Sequence, residues 1–438
     1  MAEINFAEEK SIIGYLLKYY RKENDMTVES ALYNVGAYYK EFCLDCNKCT
    51  NKEIITSLKT YRKIENGEVV KNECIYHRLA ENFEMKVLFE RKVFQKIVDY
   101  RDELYCHLTD YSYTNLKRLR NEIEKDLKLY HNVILIQEML QFYYDILVFE
   151  IDRKVADDKN IRLYFYLKDI VKDKDNKLIN YYFYQIIHYH DKVYEQKEEI
   201  FKFIENYSDE PLFFSMKLIL LCENDLLNAY IELNKIPLEK EIQFTDYQRF
   251  CLYDTKAFVA QNIGKSEESY QNLNRCVELI NDGLDISEKS IGNCYKRIGK
   301  VLCDLKRYEE GVDYFLKAMQ FNCNMGVMYV LFFHALEKIG NIETLKAILE
   351  AKKNIKSNNI LERKILNYYR NKYASSELSK TQIAFLEDYI CEELTPSVVS
   401  TGGVIMSIFK NELLHWVSIT TNYKKVFMFE NKVKNIKD

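Results

Sequence analysis

Tyr295-x2-Ile298-Gly299-x2-Leu302-x5-Tyr308-x2-Gly311-x3-Phe315-x2-Ala318 is the stretch on which the fold turns. Gly299 and Gly311 are small enough to let two antiparallel helices approach closely. Tyr295, Leu302, Tyr308 and Phe315 are large enough to fill the space around that contact. The spacing is therefore a packing requirement, and it predicts a helix pair.

The flanking sequence repeats the pattern more loosely. Tyr253, Ala257, Ala260, Gly264, Ser269, Leu273 and Cys276 precede it, and Tyr329, Phe333, Leu336, Gly340, Leu345 and Leu349 follow. Tyr329 lies 34 positions beyond Tyr295, and Gly340 lies the same distance beyond Lys306. That is the period of the tetratricopeptide repeat, whose pattern this stretch follows. The earlier step, Gly264 to Lys306, is 42 positions. The surplus falls in Asn281 to Lys289, where a loop or helix extension costs little. Phe213 to Lys235, Leu361 to Lys372, Ile383 to Ile390 and Trp416 to Phe429 are expected to add further amphipathic helices and a cap. Thr395 to Gly403, with Pro396, Gly402 and Gly403, reads as a turn between capping helices.

Composition agrees with helix throughout. Only 3 prolines occur in 438 residues, and the window Lys86 to Ile151 contains neither proline nor glycine. A 47% hydrophobic content with 30% charged residues is that of a globular chain, and no window offers the ~18 apolar residues of a membrane span. The acidic first ten residues lack an apolar segment of the secretory kind, so the expected location is cytoplasmic, with no membrane partner. Scattered helical cysteines then read as reduced, small core residues. A net charge of −4 advertises no global nucleic-acid field, so any such site has to be local.

A local site is suggested near the N-terminus. In Glu8 to Glu23 the residues Ile12, Ile13, Leu16, Leu17 and Tyr20 share a face, with Arg21 and Lys22 at the end where the macrodipole favours cations. Thr50-x2-Glu53 forms a capping box, and Ile54, Leu58, Tyr61 and Ile64 or Glu65 trace one stripe of a helix running to Gly67. On that helix Lys59, Arg62 and Lys63 form a basic face, which on charge alone is equally a solvated surface. Cys43-x2-Cys46-x2-Cys49 could ligate zinc, with Cys74 or His77 as the fourth ligand. No second, separate Cys-x2-Cys pair exists, so neither metal nor cofactor is expected.

Gly14-x2-Leu17-Lys18-x2-Arg21-x4-Met26-Thr27 and Ser57-Leu-Lys-Thr-Tyr-Arg-Lys-Ile-Glu-Asn-Gly67, followed by Tyr76-x-Arg78-Leu79-Ala80, resemble the small Cro/C1-type helix-turn-helix domains. The resemblance implies that Ser57, Lys59, Thr60, Arg62 and Lys63 face DNA, that Glu65 buttresses the fold, and that Gly67 stops the helix in a left-handed conformation. Thr27 and Glu65 lie 38 positions apart, about twice the family distance, which implies an insertion at about 36–50.

Such a domain ahead of degenerate tetratricopeptide helices resembles the peptide-pheromone quorum-sensing regulators of Gram-positive bacteria, the Rgg/PlcR/PrgX/NprR group. The expected fold is all-α: an N-terminal helix-turn-helix domain at 1–85, then a tetratricopeptide-like α-solenoid at 86–438 with its best repeats at 250–355. The resemblance implies a homodimeric transcription regulator that binds double-stranded DNA and a short signalling peptide. Repeat register puts Phe258, Gln261, Asn262, Asn293, Lys296, Lys300, Val330, His334 and Glu337 on the inner faces of the first helices, where asparagine carboxamides suit a peptide backbone. The alternative is a repeat scaffold for a partner protein, without DNA binding. No nucleophile or carboxylate is placed by spacing to use His334 as a base, so no catalytic residue is expected.

Overall fold

The computed structural model describes residues 6–32, 57–189, 197–207, 210–321, 323–353, 359–375, 377–395 and 403–437. Among these residues every extended regular element is a helix, and the strand-like feature is an isolated bridge between Lys86 and Val133. The chain is all-α. It divides into two compact units, residues 1–217 and 218–438, a division that falls well beyond the 85/86 boundary read from the sequence. The Cys43, Cys46 and Cys49 cluster, the Thr50 capping box and the 36–50 insertion lie outside the described residues.

In the first unit, α1 (Ala7–Glu23) is followed by a helical stretch at 28–32, then α2 (Leu58–Glu65) and α3 (Glu73–Glu81). The proline- and glycine-free window forms three helices, α4 (Arg91–Thr109), α5 (Tyr113–Leu129) and α6 (Ile136–Asp152). Composition gave no sign of the break before α6. It comes from tertiary pairing: Lys86 donates to the carbonyl of Asn132 at 2.7 Å and Ile134 donates back to Lys86 at 2.9 Å. Asn132 and Leu135 take left-handed φ of 63° and 70° to allow it. Then come α7 (Asp158–Lys168), α8 (Asp173–Tyr189) and α9 (Lys197–Asn206).

Helix α6 is the central strut of this unit, buried on most of its circumference. Three of its acids are buried with it, and burial of a carboxylate is costly unless it is hydrogen-bonded. Each is met by a tyrosine hydroxyl from a different helix: Glu138 by Tyr20 of α1, Asp145 by Tyr164 of α7, Glu150 by Tyr181 of α8. Because Tyr20 belongs to α1, the N-terminal helices pack into one body with residues 86–189, and this is why the sequence boundary at 85 is not a boundary between compact units.

After α10 (Phe214–Asn224), α11 (Leu226–Asn234) and the single turn α12 (Leu238–Glu241), the second unit continues as antiparallel pairs. These are α13 (Asp246–Asn262) with α14 (Ser266–Asn281), α15 (Glu288–Asp304) with α16 (Tyr308–Gln320), and α17 (Met328–Lys338) with α18 (Ile342–Ala351). The chain ends with α19 (Ile360–Lys372), α20 (Lys380–Tyr389) continuing into a wider turn at Ile390–Leu394, α21 (Gly403–Thr420) and α22 (Lys424–Lys437).

The turn inside each pair is the same turn. Gly264, Lys306 and Gly340 lie at φ 81°, 61° and 72°. In each, the left-handed residue donates back three positions and the next residue five: Gly264 to Gln261 and Lys265 to Ala260, Lys306 to Cys303 and Arg307 to Leu302, Gly340 to Glu337 and Asn341 to Leu336. This is the Schellman geometry, which satisfies carbonyls the helix end would otherwise leave open. The close approach expected at the central pair is present: a Cβ on Gly299 would lie 2.9 Å from the Phe315 ring, and one on Gly311 would lie 3.3 Å from the Gly299 carbonyl.

A side chain at Gly264 or Gly340 would meet nothing within 4 Å, so substitution there tests backbone strain alone. Gly264→Ala and Gly340→Ala are each expected to destabilise the chain by about 1 kcal/mol, the cost of a left-handed L-residue. Lys306→Gly is expected to stabilise it by about 0.5–1 kcal/mol by removing that same cost. Thermal unfolding of the full chain reads both signs, and a Lys306→Gly variant that melts lower contradicts the account.

Candidate nucleic-acid interface

Helix α2 begins at Ser57, whose hydroxyl accepts from the Thr60 amide at 3.1 Å and whose backbone is extended. A continuous helix from Thr50 to Gly67 is therefore corrected: whatever precedes Ser57, the described helix starts there. The cap also occupies the hydroxyl assigned to DNA contact, since Ser57 and Thr60 share a second hydrogen bond of 3.0 Å. At the other end Gly67 sits at φ 79°, donates to Ile64 at 2.9 Å, and Glu68 donates to Lys63 at 2.9 Å. The helix is thus closed at both ends by its own sequence.

Its inner face is fixed by α1. Tyr61 and Ile64 are fully buried, and α1 approaches so closely that a Cβ on Gly14 would fall 2.0 Å from the Ile64 carbonyl oxygen. A Cβ on Gly67 would fall 2.5 Å from the Tyr15 ring. Tyr15 donates from its hydroxyl to the Asn66 carbonyl at 3.0 Å, and Lys18 donates to the Asn66 side chain at 3.0 Å.

The centre of the contact is a two-pronged ion pair. Arg21 donates from Nε to Glu65 Oε1 at 2.5 Å and from Nη2 to Oε2 at 2.9 Å, while Nη1 donates to the Met26 carbonyl at 2.7 Å. Glu65 is 3% exposed. Hydrogen bonding to Glu65 raises the Arg21 pKa against the opposing effect of burial, so the guanidinium stays charged. The sequence places Arg21 at the helix end that the macrodipole favours for cations and leaves its partner unnamed. The signal was available, because Gly14, Leu17, Lys18 and Arg21 follow the i, i+3, i+4, i+7 spacing of one helical face.

Outward from α2 point Lys59, Arg62 and Lys63, all exposed. Arg62 lies 3.4 Å from Glu29, just inside the helical stretch capped by Thr27, and Lys63 lies 2.8 Å from Glu68. Both pairs are solvent-exposed and individually weak. Leu58, placed on the buried stripe by the sequence reading, is instead 41% exposed.

The expected inner-face residues of the second unit divide four ways. Phe258 is 46% exposed and Asn262 is exposed, with the Asn262 carboxamide donating to its own Phe258 carbonyl at 2.8 Å. Gln261 donates to Asp304 at 3.2 Å, Lys296 to Asn293 at 2.9 Å and to the Asn324 carbonyl at 3.0 Å, and Glu337 receives Lys372 and Tyr373 at 2.6 Å each. Lys300 is half-buried near Asp304, and His334 stacks edge-on to Tyr308 at 6.0 Å with its pKa lowered chiefly by burial. Val330 is corrected: it is fully buried in the apolar core and lines no surface. Sequence register missed the polar ladder between α13 and α15, where Arg297 joins Asp254 as Gln261 joins Asp304. Each partner lies 43 positions from the other, so the two pairs share one spacing, which is how the ladder could have been found.

Among the described residues no His, Cys, Asp and Glu group has metal-ligating geometry, and no helix is long and apolar enough to cross a membrane. Compared with protein-family models and with curated proteins, the chain matches none.

Glu65→Ala leaves the Arg21 guanidinium, itself largely buried, without its counter-ion, and is expected to destabilise the chain by about 3 kcal/mol. Denaturant unfolding of Glu65→Ala, Arg21→Met and the double variant tests this. A coupled pair gives a double variant less damaged than the two single losses added together, and strict additivity contradicts it.

Proposed function

We propose that this chain is a DNA-binding transcription regulator whose helical repeats bind a signalling peptide and which acts as a homodimer. One observation carries the reading: α2 is capped at both ends and locked from behind, yet offers Lys59, Arg62 and Lys63 to solvent on its open side. That is what insertion into a groove demands, since phosphate contacts position a rigid helix and base contacts specify its site. Supporting the N-terminal part is the Cro/C1-type sequence pattern, whose glutamate and glycine positions are filled by the buried Glu65 and the left-handed Gly67. Supporting a tetratricopeptide-like array is the recurrence of one turn at Gly264, Lys306 and Gly340. The exposed Phe258, with Asn262 one turn on, would give a peptide an apolar anchor and a carboxamide.

A specific observation favours the second reading, a repeat scaffold without DNA binding. Two of the three cations are already matched by Glu29 and Glu68, so a phosphate has to displace a carboxylate to reach them. Lys59 is in neither pair.

Titration of a fluorescent duplex at several salt concentrations separates the two readings. For a DNA-binding chain the logarithm of affinity falls with the logarithm of salt by about 0.9 per phosphate contacted. Replacing Lys59, Arg62 and Lys63 together with alanine is expected to flatten that slope by about 3 and weaken binding to all sequences. Equal affinity and slope in both proteins favours the scaffold.

A further inference from the structure

Helix α1 has two working faces. One carries Gly14, Lys18 and Arg21 against α2, and the other carries Tyr19 and Tyr20 against α6 and α7. On this second face Tyr166 of α7 donates to the Tyr15 carbonyl at 3.0 Å, the Tyr19 and Tyr166 rings lie 5.2 Å apart, and Glu23 lies 3.6 Å from Arg162. All of these contacts are met. Two polar atoms on this face are buried without a hydrogen-bond partner, the Tyr19 hydroxyl and one oxygen of Glu138 of α6, which is itself 2% exposed. Its Oε1 receives the Tyr20 hydroxyl, while its Oε2 is buried without a hydrogen-bond partner.

Resting on the DNA-binding reading, we propose that Glu138 is a proton-operated latch, which holds the α1–α2 body on α6 when protonated and loosens it when ionised. Stored in one buried oxygen, the instability sits where α6 meets α1, the helix that supports the DNA-facing helix from behind. Burying an ionised carboxylate costs far more than burying a neutral carboxyl, and an oxygen left without a donor adds to that cost. The titratable side chains that bear on it are Tyr20 from α1 and Lys159 from α7, and Lys159 acts at a distance without pairing. Glu23 of α1 and Arg162 of α7 are directed at each other. Burial is the leading cause that raises the Glu138 carboxyl from its ordinary value to about 7, and it prevails over lowering by the Tyr20 hydrogen bond, by the backbone amides of Glu138 and Leu135 and by Lys159.

The sign follows from linkage. A carboxyl whose pKa is higher in the docked state than in the released state binds its proton more tightly when docked. Docking is therefore strongest at low pH and weakens as pH rises towards and through 7. With a released-state value near 4.5 and a docked value of about 7, the docking equilibrium falls about tenfold between pH 6 and pH 8. The latch would couple proton activity between pH 6 and pH 8 to the mobility of the DNA-facing helix.

Hydrogen–deuterium exchange of the full chain tests this. Exchange rates of peptides covering residues 7–23 and 58–65 are divided by their intrinsic rates at each pH, so that only protection is compared. Wild type is expected to lose about tenfold protection in both peptides between pH 6 and pH 8. Glu138→Gln, which keeps the shape and cannot ionise, is expected to hold its protection constant. Tyr20→Phe removes the donor that favours the charged form, and is expected to move the transition to lower protection towards higher pH. Constant protection in wild type, or an equal fall in Glu138→Gln, overturns the latch. Duplex titration at the same pH values is scored separately: a protection change without DNA binding sinks the DNA reading and leaves the latch standing.

Discussion

Everything proposed for the N-terminal helices depends on a buried fork of charge, Arg21 against Glu65. The Gly14 contact brings the backbones of α1 and α2 too close for a larger side chain to stand between them. A planar guanidinium fits this space because it spends three of its donors, two on one carboxylate and one on the Met26 carbonyl just ahead of the Thr27 cap. One side chain therefore sets the angle between α1 and α2 and anchors the chain on its way to Thr27. With the inner face so fixed, the orientation of Lys59, Arg62 and Lys63 is no longer free.

The rest of the first unit follows a related rule. Its core is crossed by acids on α6 that are tolerated because tyrosines arrive from three separate helices to meet them. Such pairs specify which helix lies where, since a tyrosine in the wrong register leaves a buried carboxylate without a donor. They also make the unit one body, so the helix that carries the cations is held, through α1, by the same strut that organises residues 86–189. The second unit is held in another way. There the small residues Gly299 and Gly311 set helix separation, and a repeated left-handed turn sets direction.

Much of this was legible in the residues. Gly67 as a left-handed stop, the close glycines at the α15–α16 contact and the turn positions at Gly264, Lys306 and Gly340 were all readable. Each is decided by local chemistry: a φ that few residues accept, or a volume that one residue type provides. Less legible were Val330, whose helical register is compatible with either a groove or a core, and Leu58, whose stripe predicts burial but which is 41% exposed. Both errors have the same origin, because periodicity tells which residues share a face and not what the face meets.

The sequence by itself determined that the chain is helical, where its paired helices turn, and which helix near the N-terminus carries three cations. These follow from backbone propensity, glycine placement and spacing, which act within a few residues of one another. Only the tertiary structure decided that Arg21 belongs to Glu65, that Tyr20 belongs to Glu138, and that the N-terminal helices are continuous with the helices after residue 86. Those pairings join residues 44 and 118 positions apart. Their partners are selected by burial and by the need to satisfy every charge removed from water, conditions that exist only once the helices have met.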